Sequence, residues 1–287
     1  MPNFPQYSSA LIDNLVCDTK DEVCMYSKCS KCPNWIDAIK KDAPLDDDIV
    51  WSQWERVSQP VESKKGKIKD VAKMLKVTNE GAVEEAPSDL EHRMPFFLEH
   101  VFIKRKQHQF FEDRISQLGP EEAVVQVDFA ENSTCYYQDE IQAAHWSQEQ
   151  ITLFTAAVWV NDSSKTTCET HCIIKDDHGH DKWSVSVFLD TVINDFVAKK
   201  HPQVKMVDVF SDGPASQFKN KYMANFCCKL ERHGLKVRWN FLATSHGKRV
   251  VDGVGGSVER AVWTAVLTRK VTRVVSAEEF FDTARKF

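Results

Sequence analysis

An ionisable side chain set into an apolar, β-branched run is the feature that most limits how this chain can fold. The stretch Glu122–Glu131, EAVVQVDFAE, reads as a strand buried on both faces, interrupted by Asp128. A carboxylate inside such a run is costly unless a cation or a hydrogen-bond donor compensates it. The chain repeats the device in VKMVDVFSDG, Val204–Gly213, which ends in Asp212. The pair is expected to converge on a divalent metal. For Asp128 taken alone, a strand-edge acid exposed at a loop is the competing reading.

Length and composition bound the alternatives. A chain of 287 residues suits one large domain with a smaller one. No apolar run reaches the length of a membrane span and none resembles a secretory signal, so a nuclear or cytoplasmic protein with no membrane partner is expected. The net charge of −5 argues weakly against a dedicated nucleic-acid binder. Local basic clusters, however, are what steer a polyanion. Nine cysteines, an odd number, favour a reduced compartment and metal-binding or core thiols over disulfides.

Three segments follow from the pattern. Residues 1–41 form an arm with Cys17, Cys24, Cys29 and Cys32. Four thiolates can close a tetrahedral zinc site that holds together a segment too short for its own core. Cys29-x-x-Cys32 is the regular half of that signal. The Cys17 and Cys24 spacing matches no standard ribbon, and unrelated reduced thiols are the alternative. Residues 42–120 are an α+β, partly helical region with potential DNA contacts. Ile49–Val57 alternates like a strand, Lys64, Lys65, Lys67 and Lys69 form a basic run, and 79–89 reads as a linker. A helix is predicted from Leu90, with Phe97, Val101, Lys104 and His108 on one face, apolar bulk from Phe96, Ile103, Phe110 and Phe111, and Gly119-Pro120 beyond its end. Its Lys104, Arg105 and Lys106 suit a DNA backbone or a solvated face.

Residues 121–287 read as three strands, then helix, strand, helix, strand, helix. The predicted helices are Trp183–His201 (with Val187, Leu189, Ile193 and Val197 near helical period), Ser216–Gly234 and Gly255–Val271. Such an order gives an α/β sheet with antiparallel strands first and crossovers later. It resembles the ribonuclease-H-like fold of retroviral integrases and cut-and-paste transposases, a mixed sheet flanked by helices. That resemblance implies that the first and fourth strands are neighbours, so Asp128 and Asp212 meet at one sheet edge. It also implies a third acid near the start of the last helix, either Asp252, just before it, or Glu259, one turn inside.

Three carboxylates on a rigid sheet suit two Mg²⁺ or Mn²⁺ ions about 3.5–4 Å apart, the arrangement used for phosphodiester cleavage and strand transfer. Gln217 and Lys219, after the Gly213-Pro214 turn, are candidate phosphate contacts, with Phe218 as the anchor. His246, Lys248 and Arg249 form a polar, cationic loop on the same side; turn residues are the alternative. His145 reads as a structural histidine.

VVQVDFAEN, FSDGPASQFKN and WNFLATSHGKRVVDGVGG resemble a family of transposon-derived proteins of animal genomes. The likeness runs from about Cys24 to the C-terminus. It implies a DDE-type transposase or nuclease acting on DNA, homo-oligomeric if active. Relatives tend to carry glycine where Arg249 stands and a basic residue where Glu259 stands; the second departure raises Asp252 as the third acid. The chain stops soon after SAEEFFDTARKF, which reads as loss of a C-terminal segment. Two other readings stay open: a catalytically dead, domesticated DNA- or protein-binding module, and an unrelated metal-dependent phosphohydrolase.

Overall fold

The computed structural model describes residues 8–34, 48–62, 68–82, 85–130, 132–137, 150–162, 165–177, 179–243 and 250–287. His145, Lys64, Lys65, Lys67, His246, Lys248 and Arg249 lie outside these residues. Two compact units, residues 1–103 and 104–287, are each described by themselves. No described helix is long and apolar enough to cross a membrane.

The first unit contains α1 (Ser8–Leu15), α2 (Glu22–Met25), β1 (Asp48–Glu62), β2 (Ile68–Ala82) and α3 (Glu85–Ser116) as far as Ile103. Asp21 caps α2 by accepting the Val23 N–H. Ile12, Leu15, Val16, Cys24 and Met25 pack with Met94, Leu98 and Phe102 of α3. The spacing of those three α3 residues puts them on one helical face. Phe96, expected to supply apolar bulk, is exposed instead, as is Phe110 further along. Strand β1 is longer than the alternating segment suggested, and it forms an antiparallel hairpin with β2, from Asp48 opposite Ala82 to Glu62 opposite Ile68. The expected linker at 79–89 is therefore largely ordered: Asn79–Ala82 complete β2 and α3 starts at Glu85, five residues before Leu90. Gly81 does not break the strand, because cross-strand pairing overrides its weak intrinsic preference.

The second unit is built on β3 (Glu122–Phe129), β6 (Gln150–Asp162), β7 (Lys165–Lys175), β8 (Met206–Ser211) and β9 (Lys236–Phe241). Two short strands, β4 (Ser133–Thr134) and β5 (Tyr136–Tyr137), lie in the segment after β3 that reads as a polar turn. Spatially the order is β7-β6-β3-β8-β9, with β4 also on β6. The first three strands in sequence pair antiparallel, and β3-β8 and β8-β9 pair parallel. This is the mixed sheet of the ribonuclease-H-like architecture, with the first and fourth strands side by side.

Helices cover both faces. On one side α4 (Lys182–Thr191), its π-helical continuation (Val192–Ala198) and α5 (Lys221–Arg232) bury Val185, Phe188, Leu189, Ile193, Met223 and Phe226 against β3, β6 and β8. Val187, expected on the packed face of α4, is exposed; the buried stripe runs through Val185, Phe188 and Val192. On the other side lie the C-terminal part of α3, through Phe111, and α6 (Val250–Leu267), through Val251 and Val262. One more helix, α7 (Ala277–Lys286), follows β10 (Arg273–Val274). Its N-cap, Ser276, accepts the Glu279 N–H through Oγ, and the Glu279 carboxylate turns back to accept the Val275 N–H.

A buried charge network holds α3 to the sheet. Asp208 of β8 is 1% exposed. It accepts from Arg114 Nε at 2.7 Å and from Arg238 Nη2 at 2.7 Å, while Arg114 also reaches Glu122 at 3.1 Å. Removing one partner of such a cluster leaves an uncompensated charge inside the protein. Asp208→Ala should therefore cost about 3–5 kcal/mol in denaturant unfolding. A loss below about 1 kcal/mol would contradict the network's role.

Candidate functional site

Residues of β3 alternate between the two cores. Ala123, Val125 and Val127 face α4 and α5; Val124 packs on the α3 and α6 side. Asp128 shares the parity of Val124 and so emerges on the α6 side, near the end of the strand. Its Oδ1 accepts the Phe129 N–H at 2.8 Å. Burial first, then the charge of Asp212, push its carboxyl up to about 7; the Phe129 hydrogen bond opposes them, and the charge of Asp252 adds a smaller raising effect. Asp212, just past β8, is raised by burial and by Asp252. Its Oδ1 is buried with no hydrogen-bond partner among the described residues. Asp128, Asp212 and Asp252 therefore act on one another across the end of the sheet.

Helix α6 starts at Val250, five residues before the glycine expected to open it. Asp252 is thus in its first turn, where a carboxylate also meets the positive end of the helix dipole. Glu259 is more than two turns inside the helix. Seven residues separate it from Asp252, roughly 10 Å along the axis. Gly255 explains how α6 comes so near the strand. A Cβ there would lie 2.8 Å from Ala130 Cβ and 3.5 Å from Thr155 Cγ2, so only glycine allows this approach.

Other expected residues are dispersed around this edge. Phe218 is fully buried, while Gln217 is half-buried and Lys219 exposed, its ammonium 5.6 Å from the Phe241 ring. Lys104, Arg105 and Lys106 are exposed on α3. Two features had no sequence signal. Gln107 clamps the chain after β9, donating to Phe241 O at 3.1 Å and accepting the Ala243 N–H at 2.6 Å. His180 stacks on Phe129, the residue after Asp128, with centroids 4.3 Å apart, and its Nε2 is 2.6 Å from Asn132 Oδ1.

The four N-terminal cysteines form a second candidate centre, within the first unit. All are free thiols, and their Sγ atoms lie within 4.8 Å of one another. Cys17 Sγ is 3.3 Å from Cys32 Sγ and 3.8 Å from Cys29 Sγ. The edge of a zinc tetrahedron with bonds near 2.3 Å is about 3.8 Å. The Cys17 N–H points to Cys32 Sγ at 3.4 Å. The Lys31 N–H, and then the neighbouring thiols, bring Cys29 down to about 7. Cys24, Cys29 and Cys32 also pack against the apolar core of α1 and α3, so a bound ion would be tied to that core. The arrangement could hold a metal, and four sulfur donors suit zinc. The three aspartates are not drawn within that same 4.8 Å limit.

Residues 107–287 match a domain of unknown function, DUF8701. The chain belongs to the DUF8701 family. The matched span includes all three aspartates and begins at the Gln107 clamp; the cysteine cluster precedes it. Proteins with curated descriptions give no match. Among solved structures, the catalytic core domain of BIV integrase is similar at a TM-score of 0.29 and 10% identity, over 58% of this chain and 82% of that one.

Two measurements check these centres in the DUF8701 chain. A carboxyl raised from 3.8 to about 7 keeps its proton in the folded state after the unfolded chain has lost it. The folded state then binds more protons between those values, so stability falls as pH rises through that window. The effect is on the order of 4 kcal/mol at most. In EDTA, the stability difference between Asp128→Asn and the parent should grow in favour of the variant from about pH 4 to pH 7; a difference independent of pH would exclude the shift. For the cysteines, the purified chain should carry a single zinc that Cys29→Ser abolishes. Chelation should lower the ellipticity and Tm of the first unit's helices, and a metal-free chain with unchanged melting would exclude a structural ion.

Proposed function

We propose that residues 104–287 form a divalent-metal-dependent phosphodiester-cleaving enzyme acting on DNA, of transposase or integrase type and transposon origin. Asp128, Asp212 and Asp252 are its metal-binding acids. The observation that carries this reading is the convergence of three aspartates from three separate elements on one sheet edge, close enough for their charges to act on one another. The donor set fits Mg²⁺ or Mn²⁺: carboxylate oxygens are hard ligands, and the buried, unpartnered Oδ1 of Asp212 is an oxygen in need of a cation. When bound, such ions supply Lewis-acid activation of the attacking hydroxyl and charge neutralisation at the scissile phosphate.

The chain's own residues do the positioning. Asp128 is fixed by the β3 backbone and the Phe129 N–H. Asp212 is held where β8 ends, before a turn in which the Gln217, Phe218 and Lys219 N–H groups all bond to Pro214 O. Asp252 is carried by α6. Glu259, further along α6, is assigned no metal. Gln217 and Lys219 on this edge, Lys104, Arg105 and Lys106 on α3, and His246, Lys248 and Arg249 in the segment before α6 are the proposed phosphate contacts. Zinc on the four cysteines is structural. Strand transfer at paired ends calls for a homo-oligomer, and a DNA substrate for a nuclear location.

Plasmid nicking in Mg²⁺ or Mn²⁺ tests the assignment. Asp128→Asn, Asp212→Asn and Asp252→Asn should each reduce it by about a hundredfold or more, and Glu259→Gln by less than about threefold. Parent-like nicking by Asp128→Asn and Asp212→Asn would exclude this site. DNA binding without turnover, indifferent to the acids, would mark an inactive binding module. Turnover of small phosphate esters but not DNA would mark a phosphohydrolase.

A further inference from the structure

An exposed cluster of aromatic and cationic side chains lies on the rim that carries the acids, formed by the starts of α4 and α5. Trp183 is 60% exposed and Tyr222 38% exposed, with ring centroids 5.2 Å apart and planes tilted by 55°. Lys182 Nζ is 4.2 Å from the Tyr222 centroid and 5.5 Å from that of Trp183. Lys221 Nζ is 5.4 Å from the Tyr222 centroid. Val187, one turn beyond Trp183, is also exposed. An indole this open to water gains nothing from the fold's own core, and α4 already buries its other face through Val185, Phe188 and Leu189.

Contacts with Phe129 set the position of this cluster. Trp183 follows His180 by three residues, and His180 stacks on Phe129, next to Asp128. Tyr222 follows Asn220, the cap of α5, and Phe218 lies 6.1 Å from the same Phe129 ring. The acid in this patch, Asp181, is engaged with the Trp183 and Ser184 N–H groups, at 3.1 and 2.9 Å. Two ammonium groups, on Lys182 and Lys221, therefore lie against the rings in a chain of net charge −5. Stacking faces interleaved with cations match unpaired bases and their phosphates. An apolar protein partner would be offered aromatic surface without this concentration of like charge.

We propose that Trp183 and Tyr222 stack unpaired bases of single-stranded DNA, with Lys182 and Lys221 on the adjoining phosphates. The proposal rests on the nuclease reading and deepens it: the substrate presented to the acids has a frayed or single-stranded end.

The test is fluorescence anisotropy with a labelled single-stranded deoxyoligonucleotide and a duplex of equal length, in EDTA, so that binding is read without turnover. Trp183→Ala and Tyr222→Ala should each weaken single-strand binding about tenfold or more, the loss expected for a base–aromatic stack. Duplex binding should change less than about threefold, because backbone contacts elsewhere carry it. Trp183→Phe should keep most of the single-strand affinity, and Lys182→Gln should flatten the salt dependence. Single-strand binding unchanged in both alanine variants, equal losses on single strand and duplex, or no single-strand binding by the parent would overturn the proposal and leave the patch to a protein partner. Asp128→Asn separates the two readings: ring-dependent binding without nicking in the parent would sink the nuclease reading alone, and metal-dependent nicking without ring-dependent binding would sink this one.

Discussion

Parallel pairing of β3 with β8 is the constraint on which the candidate site depends. Glu122 pairs with Met206 and Gln126 with Phe210, so the two strands run in step toward the same edge. Extending that register by two residues brings Asp128 level with Asp212. Parallel neighbours need a crossover, and here it is α4 with its π-helical continuation, on the face away from the acids. Both strands are buried on both sides, which explains their near-continuous apolar composition. Two carboxylates distant in sequence thus become neighbours through backbone hydrogen bonding rather than through any attraction of their own. Their mutual repulsion is borne by the sheet.

Strand β8 carries two acids on one face with opposite fates. Asp208 and Asp212 are separated by an even number of residues, and the odd positions Val207 and Val209 point into the other core. Asp208 is matched by Arg114 from α3 and by Arg238 from the neighbouring strand. Asp212 has a buried oxygen with no hydrogen-bond partner among the described residues and a second aspartate nearby. Salt bridges neutralise the first within the protein. This contrast distinguishes the two carboxylates better than burial does, since the salt-bridged one is the more buried of the two.

Much of this was legible in the amino-acid sequence. The strand and helix order of the second unit follows from period and length, and the acid interrupting EAVVQVDFAE marks the site. Where the reading failed, non-local packing overrode local preference. The last helix reads as opening at Gly255, with the glycine-containing residues before it left outside because glycine is a poor helix former; it begins at Val250 instead. Residues 79–89 read as a linker because of their glycine, proline and acids, yet pairing with β1 orders the first part. Val187 fitted a helical stripe, but the sheet takes its neighbours Val185 and Phe188 instead. Asp208 went unremarked because its arginines come from residues 114 and 238, which no local pattern connects to it.

The start of α6 shows what the site asks of the fold. Glycine inside a helix costs about 1 kcal/mol relative to alanine, and α6 has three near its first turn. Only Gly255 is explained by packing, since a Cβ there would collide with Ala130. A Cβ at Gly253 or Gly256 would meet nothing within 4 Å among the described residues. A helix with three glycines in its first two turns gives up intrinsic stability there. Tertiary contacts through Val251, Val262 and Val266 compensate, so the helix persists where its own sequence would not hold it.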